Sequence, residues 1–281
     1  MKNIDLTVSA WKDYELVDSG LNRKLERYGA YSIIRPETQA LWAPASPASW
    51  KRAEAEFRWA DGKGSWRKKN IPEEWELSWE DVRFTIRLTS FKHTGVFPEQ
   101  AANWEWIRDR VKRLSSPQVL NLFGYTGIAS IVAAKAGARV THVDASKQSN
   151  AWAKENARLS GIPEGGIRHL LDDALKFVER EARRGAQYEG IILDPPAFGR
   201  GPDGEVWRIE EDLPRLIAAL QKIFAARKNS FFLLNGYAAG YSPVSFAQAI
   251  GNIDGEFGEL GIRESKTGRI VPSGIYARFV R

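Results

Sequence analysis

Beyond about residue 98 the sequence alternates helix-like and strand-like segments, and this alternation restricts the fold more than any other feature. EQAANWEWIRDRVKRL is an amphipathic helix opened by Pro98 and ended by Ser115-Ser116-Pro117. VLNLF, ARVTHVD, GIRHLL, GIILDPP and SFFLLN read as buried strands. IASIVAAKAG, KQSNAWAKENARLSG, ALKFVEREARRG, IEEDLPRLIAALQKIFAARK and PVSFAQAIG read as the helices between and after them. Strands joined through helices run parallel, so the pattern predicts an α/β fold with helices on both faces of the sheet and ligands beyond the carboxyl ends of its strands. The tail FGELGIRESKTGRIVPSGIYARFVR reads as two strands around a Lys-Thr-Gly turn, which makes the last pair antiparallel.

The first ninety residues have another texture. They hold seven of the eleven tryptophans, Trp11, Trp42, Trp50, Trp59, Trp66, Trp75 and Trp79. Runs such as YSIIRP, AEFRWA and DVRFTIRLTSF, separated by APASPAS, DGKGS and NIPEE, predict a small antiparallel β-rich domain over 1–90, ahead of the α/β domain over 91–281. Its tryptophans suit either base stacking or the core of a small sheet, and the core is the better reading. Arg67-Lys68-Lys69 reads as a solvated loop.

Composition then removes whole classes of function. The chain has no cysteine, so disulfides, thiolate metal sites and cysteine nucleophiles are excluded. No apolar run reaches the ~18 residues a membrane helix needs, and MKNIDLTVSAWKDYE lacks a signal-peptide core, so a soluble cytoplasmic protein is expected. The net charge of +6 lies mostly after residue 90, which permits a polyanionic partner without requiring one.

VLNLFGYTG, directly before a helix, is the turn shaped for a ligand. Gly124 and Gly127 do not match G-x-G-x-x-G, and Tyr125 and Thr126 stand where a diphosphate would need close backbone approach, so NAD is the poorer choice. Open amides and a carbonyl near Asn121 suit the two ends of a zwitterion. Asp144 closes the next strand, where a carboxylate accepts the hydroxyls of a ribose. Asp173 follows the third strand and either accepts from an adenine amine or caps the helix ALKFV; its neighbour Asp172 has the same two options. The fourth strand ends in ILDPPAFGRG. Pro195 and Pro196 stiffen the exit and hold Asp194 extended, with Phe198 as a flat apolar surface. A carboxylate beside an aromatic ring suits a nucleobase amine, and the alternative is a plain turn.

NLFGYTG, VTHVDAS, DDALKF and LDPPAF, in this order, resemble the motifs of class I S-adenosylmethionine-dependent methyltransferases. More narrowly they are similar to the large-subunit ribosomal RNA methyltransferase family, whose first motif is Leu-Asn-x-Phe-x-Tyr-Thr-Gly and whose Thr-Gly-x-Phe-x-(Asp/Glu)-Gln segment HTGVFPEQ resembles. The resemblance spans roughly residues 90–240 and implies a Rossmann-like, seven-stranded methyltransferase sheet with S-adenosyl-L-methionine as cofactor and S-adenosyl-L-homocysteine as product. It implies that Phe97 and Gln100 help cradle the cofactor. It gives Asn121, Phe123, Gly124, Tyr125, Thr126 and Gly127 to the methionine part, Asp144 with Ala145 and Ser146 to the ribose, and Asp173 with Ala174 to the adenine. Asp194, Pro195, Pro196 and Phe198 would face the acceptor, Asp194 at the border of both sites.

The missing cysteine closes the covalent route to C5 of cytosine used by some members, and the strand end that carries it there reads LLNGYAAGYS here, offering Asn235 and Tyr237 instead. Ala197 also separates the Asp-Pro-Pro from its aromatic. The expected function is methylation of a base nitrogen in ribosomal RNA, needing no metal and no membrane, by a monomer or homodimer. A small-molecule or protein methyltransferase, a cofactor-holding RNA-binding assembly factor without catalysis, and a nicotinamide oxidoreductase are the alternatives.

Overall fold

The computed structural model describes residues 1–60, 63–90, 92–237, 240–251 and 254–281. Asp61-Gly62 of the DGKGS turn, Phe91 at the end of DVRFTIRLTSF, and Ala238-Ala239 within LLNGYAAGYS lie outside the described residues. In chain order the strands are β1 (Lys2–Asn3), β2 (Leu6–Val8), β3 (Tyr14–Gly20), β4 (Arg23–Tyr28) and β5 (Tyr31–Pro36). The short helix α1 (Pro47–Trp50) precedes β6 (Ala55–Ala60), β7 (Lys63–Lys68), β8 (Glu74–Trp79) and β9 (Val82–Arg87). A 3₁₀ turn at Pro98–Gln100 opens α2 (Ala101–Val111), and the alternation follows: β10 (Gln118–Leu122), α3 (Ile128–Lys135), β11 (Arg139–Asp144), α4 (Lys147–Leu159), β12 (Ile167–Leu171), α5 (Ala174–Arg184) and β13 (Gly190–Leu193). A small hairpin of β14 (Phe198–Arg200) and β15 (Val206–Arg208) comes next. Then follow α6 (Ile209–Ile223), β16 (Phe231–Gly236), α7 (Pro243–Ala249), β17 (Gly255–Arg263) and β18 (Ile270–Val280).

Two compact units divide the chain. Met1–Leu6, Ala102–Glu259 and Gly274–Arg281 form one, and Thr7–Ala101 with Leu260–Ser273 form the other. The large sheet has the order β1-β17-β18-β16-β13-β10-β11-β12, with β2 also on β17. Seven of its strands are those read from the alternation and the tail; β1 and β2 add a short edge that the sequence did not announce. β10, β11, β12, β13 and β16 are parallel, and β18 runs antiparallel to β16.

Strand period sorts the two faces of that sheet. Leu120, Leu122, Val143, Ile191, Leu193, Phe232 and Leu234 join the apolar sides of α5, α6 and α7 in one core. The alternate residues face the other way: Asn121 bonds Ser130 of α3, Phe231 meets Trp106 of α2 edge-on at 5.5 Å, and Asn235 bonds Asn103 of α2. The site residues at the strand ends therefore rest on a sheet buried on both sides.

The other unit holds a sheet β3-β4-β5-β6-β7 and the pair β8-β9. It is β-rich as expected but not wholly antiparallel, because β5 and β6 pair parallel through Ile33↔Ala55. The connection through α1 makes that possible, since parallel neighbours need a crossover rather than a hairpin. The indoles of Trp11, Trp42, Trp50, Trp66 and Trp75 each donate to a partner at 2.6–3.1 Å, and Trp79 is buried. Tryptophan there fills and ties the fold; Trp59, 58% exposed, is the exception. Arg67 and Lys68 stand on β7 as exposed strand residues rather than in a loop, with Lys68 paired to Glu73 at 3.1 Å.

Candidate cofactor site and acceptor loop

Three backbone bonds continue the parallel ladder past the strand ends. Gly124 N donates to Val143 O (3.1 Å), Asp172 N to Asp144 O (3.3 Å) and Asp194 N to Leu122 O (3.4 Å). They set the β10 loop, Asp144, Asp172 and Asp194 at one level of the carboxyl edge, where a doubly wound sheet takes its ligand. Parallel pairing of Leu193 with Leu234 brings Asn235 to the same level.

The loop from Phe123 to Gly127 is a left-handed staircase. Phe123 (φ 56°), Tyr125 (φ 50°) and Gly127 (φ 82°) all lie in the left-handed region, and the first two are side chains that rarely adopt it. Such strain persists only where the surroundings over-determine it, and it concentrates at ligand sites. Gly127 N closes the turn on Gly124 O at 3.0 Å, and Gly127 begins α3 with no side-chain cap. Glycine is required there twice over, by its φ and because a Cβ would lie 2.9 Å from that of Ala153. Thr126 is buried with its carbonyl accepting from Asn156 Nδ2 at 2.9 Å, so the loop is pinned to α4.

Asp144 is the best-defined acid of the edge. Its Oδ2 accepts from Tyr125 N and its Oδ1 from Ser146 N, both at 2.8 Å, while its carbonyl accepts from Asn150 Nδ2 at 2.8 Å. Burial lifts its carboxyl pKa above the ordinary 3.8, and the two amide bonds pull against that rise. Ser146 caps α4, accepting from Ser149 N at 3.1 Å, with Ala145 half-buried before it. Asp173 caps α5, accepting from Lys176 N at 2.9 Å, ahead of buried Ala174. Asp172 pairs with Arg180.

The Asp-Pro-Pro segment leads into the β14–β15 hairpin, which sequence reasoning missed. Pro196 O accepts from Trp207 Nε1 at 2.7 Å and Ala197 O from Ile209 N at 3.1 Å. Trp207 is buried and its ring lies 4.8 Å from that of Phe123, so one indole ties this segment to the β10 loop. Pro195 is buried, while Phe198 is 56% exposed across from Arg208. Of the other expected residues, Asn235 is buried with its Oδ1 accepting from Asn103 Nδ2 at 2.8 Å, and Tyr237 is exposed. Phe97 precedes the 3₁₀ turn and Gln100 is its last residue, and both belong to the unit that begins at Thr7, not to the one holding Asn121 through Asn235.

A family model of S-adenosylmethionine-dependent methyltransferases matches residues 23–243. The chain belongs to this family. A crystal structure of an S-adenosylmethionine-dependent methyltransferase from Agrobacterium tumefaciens is 42% identical, covers 99% of this chain and 93% of its own, and superposes with a TM-score of 0.93. Ribosomal RNA large subunit methyltransferase K/L from Shewanella frigidimarina is 32% identical over 55% of this chain and 21% of its own length. The protein of that name from Pseudoalteromonas translucida gives the same identity and shares. The chain thus spans about a fifth of the curated relatives it matches.

The residues on the edge fit the family's cofactor. Each carboxylate oxygen of Asp144 has one lone pair taken by an amide and another to accept a ribose hydroxyl. The uncapped start of α3 adds amides and a partial positive charge suited to a carboxylate. Among the described residues no group of three or more His, Asp or Glu is arranged to hold a metal ion. No helix among them is long and apolar enough to cross a membrane.

Proposed function

We propose that this methyltransferase acts in the cytoplasm on a base nitrogen of RNA, ribosomal RNA foremost, without a covalent enzyme intermediate. The observation that carries this reading is the level shared by Asp194 and the β10 loop. An acidic acceptor group stands one ladder bond from the loop assigned to the cofactor. The names of the curated relatives support the RNA substrate, and a chain without cysteine supports direct transfer.

S-adenosylmethionine supplies a methyl group already activated on a sulfonium, so the protein's part is alignment and exclusion of water. In this reading Asp144 takes the ribose hydroxyls, the 123–127 loop and the start of α3 hold the methionine end, and Asp173 or its neighbour Asp172 meets the adenine. Asp194 accepts a hydrogen bond from the substrate amine and so turns its lone pair toward the methyl group. The carbonyls of Pro196 and Ala197 accept Trp207 Nε1 and Ile209 N, which fixes the segment that carries Asp194. Phe198 offers its exposed face to the base, and exposed Tyr237 is a second candidate for that contact. Asn235 supports this edge from below through Asn103.

Single-turnover transfer of a labelled methyl group to total RNA stripped of protein tests the proposal. Incorporation by the wild type, sharply reduced in Asp194→Ala while S-adenosylhomocysteine binding is kept, is the expected outcome. Binding of RNA without incorporation would make the chain an assembly factor, and label in protein or small molecules only would move the substrate elsewhere.

A further inference from the structure

Asn121, His142 and His169 stand side by side on β10, β11 and β12, two register positions below Asp144 at the cofactor edge. Asn121 Nδ2 donates to Ser130 Oγ at 2.9 Å, and Ser130 Oγ and His142 Nδ1 share a hydrogen bond at 3.0 Å whose donor depends on the imidazole tautomer. His142 is wholly buried. Burial, with His169 adding to it, drives its pKa down to about 3, so the ring stays neutral. Among the described residues its Nε2 has no partner, an arrangement that an apolar ring would avoid.

Gly124 lies directly on this ring. A Cβ there would overlap His142 Cε1 and Nδ1, and the ring has little room to yield, with Ser130 bonded to it and the His169 ring 5.1 Å away. The φ of Gly124 is not in the left-handed region, so the ring alone excludes a side chain. The next amide, Tyr125 N, is the one that bonds Asp144 Oδ2, and Asp144 follows His142 by two residues on the same strand face. We infer that His142 is a positioning residue for the cofactor: its ring is the seat of the β10 loop, and the height of that seat sets the Tyr125 amide on the Asp144 carboxylate. This rests on Asp144 being the ribose acceptor.

Calorimetric titration of S-adenosylhomocysteine into the wild type, Gly124→Ala, His142→Ala, the double variant and Asp144→Ala tests it, with thermal unfolding recorded for each. Gly124→Ala is expected to bind at least tenfold more weakly. The double variant, in which the new methyl group occupies space vacated by the imidazole, is expected to regain fivefold or more over Gly124→Ala. A double variant no tighter than Gly124→Ala overturns the inference, because a histidine that does not bear on Gly124 gives losses that add. Should Gly124→Ala fail to fold, the same decision falls to unfolding: a cooperative transition restored in the double variant supports the seat, and its absence in a background where His142→Ala folds overturns it. Asp144→Ala separates the two readings. If it binds like the wild type, the ribose assignment fails; if it weakens binding while no rescue occurs, only the seat fails.

Discussion

Asp144 combines three properties that a ribose acceptor needs: both oxygens oriented by amides, partial burial, and a place on the sheet edge. Removing it with Asp144→Ala should weaken S-adenosylhomocysteine binding by about 1 to 3 kcal/mol, the cost of unpaired polar groups in a partly buried site. Its pKa is raised, and the ionised form is the acceptor, so affinity in the wild type should fall on acidification at a higher pH than an ordinary aspartate would give. Asp173 poses a separate question, since it caps α5 whatever else it does. Asp173→Ser keeps a capping oxygen and Asp173→Ala does not, so the alanine should cost about 1 kcal/mol more stability in denaturant melts. Equal loss of cofactor affinity in both would assign the carboxylate to the adenine. At this scale the strand-end acids could be placed from sequence, because a charge closing an apolar run marks an edge. His142, Ser130 and Trp207 could not, because their roles depend on which residue lies across the sheet or loop.

The alternation of helices and strands from α2 to α7 and the antiparallel tail are present as read, since buried parallel strands and amphipathic helices carry strong local patterns. The β14–β15 hairpin was not legible: its strands have three residues each, and Gly199, Gly201, Pro202 and Gly204 look like plain loop. Its hold on the acceptor segment is the Trp207 indole. Trp207→Phe keeps the ring and deletes the bond to Pro196 O, and is expected to cost about 1 kcal/mol of stability. Its larger effect should be on methyl transfer, measured as a fall in kcat/KM for RNA with S-adenosylhomocysteine binding little changed. The parallel β5–β6 pair was also hidden, because strand runs separated by a crossover look no different from those of a meander.

The molecule as a whole carries its clearest pH signature in the unit that begins at Thr7. Glu26 accepts from Tyr14, Tyr28 and Arg35 in a fully buried cluster, and Arg35 with Lys24 keeps its carboxyl ionised, down at about 2 despite burial. Glu99 is buried without comparable pairing, and burial pushes it from the ordinary 4.5 up to about 7. Between those values the folded state binds more protons than the unfolded one. The stabilisation from Glu99 is therefore complete below pH 4.5 and is lost as pH rises through about 7. Denaturant midpoints of Glu99→Gln should show a smaller decline over that window than those of the wild type. On the substrate side, phosphate contacts would make RNA affinity fall steeply with salt, whereas cofactor affinity should not. Every role assigned to the sheet edge depends on where the cofactor lies, and a crystal structure of the protein with S-adenosylhomocysteine measures that directly. The ribose hydroxyls within hydrogen-bonding distance of Asp144, and the methionine end at the Phe123–Gly127 loop, are the predicted result; the ligand at any other edge of the sheet would contradict it.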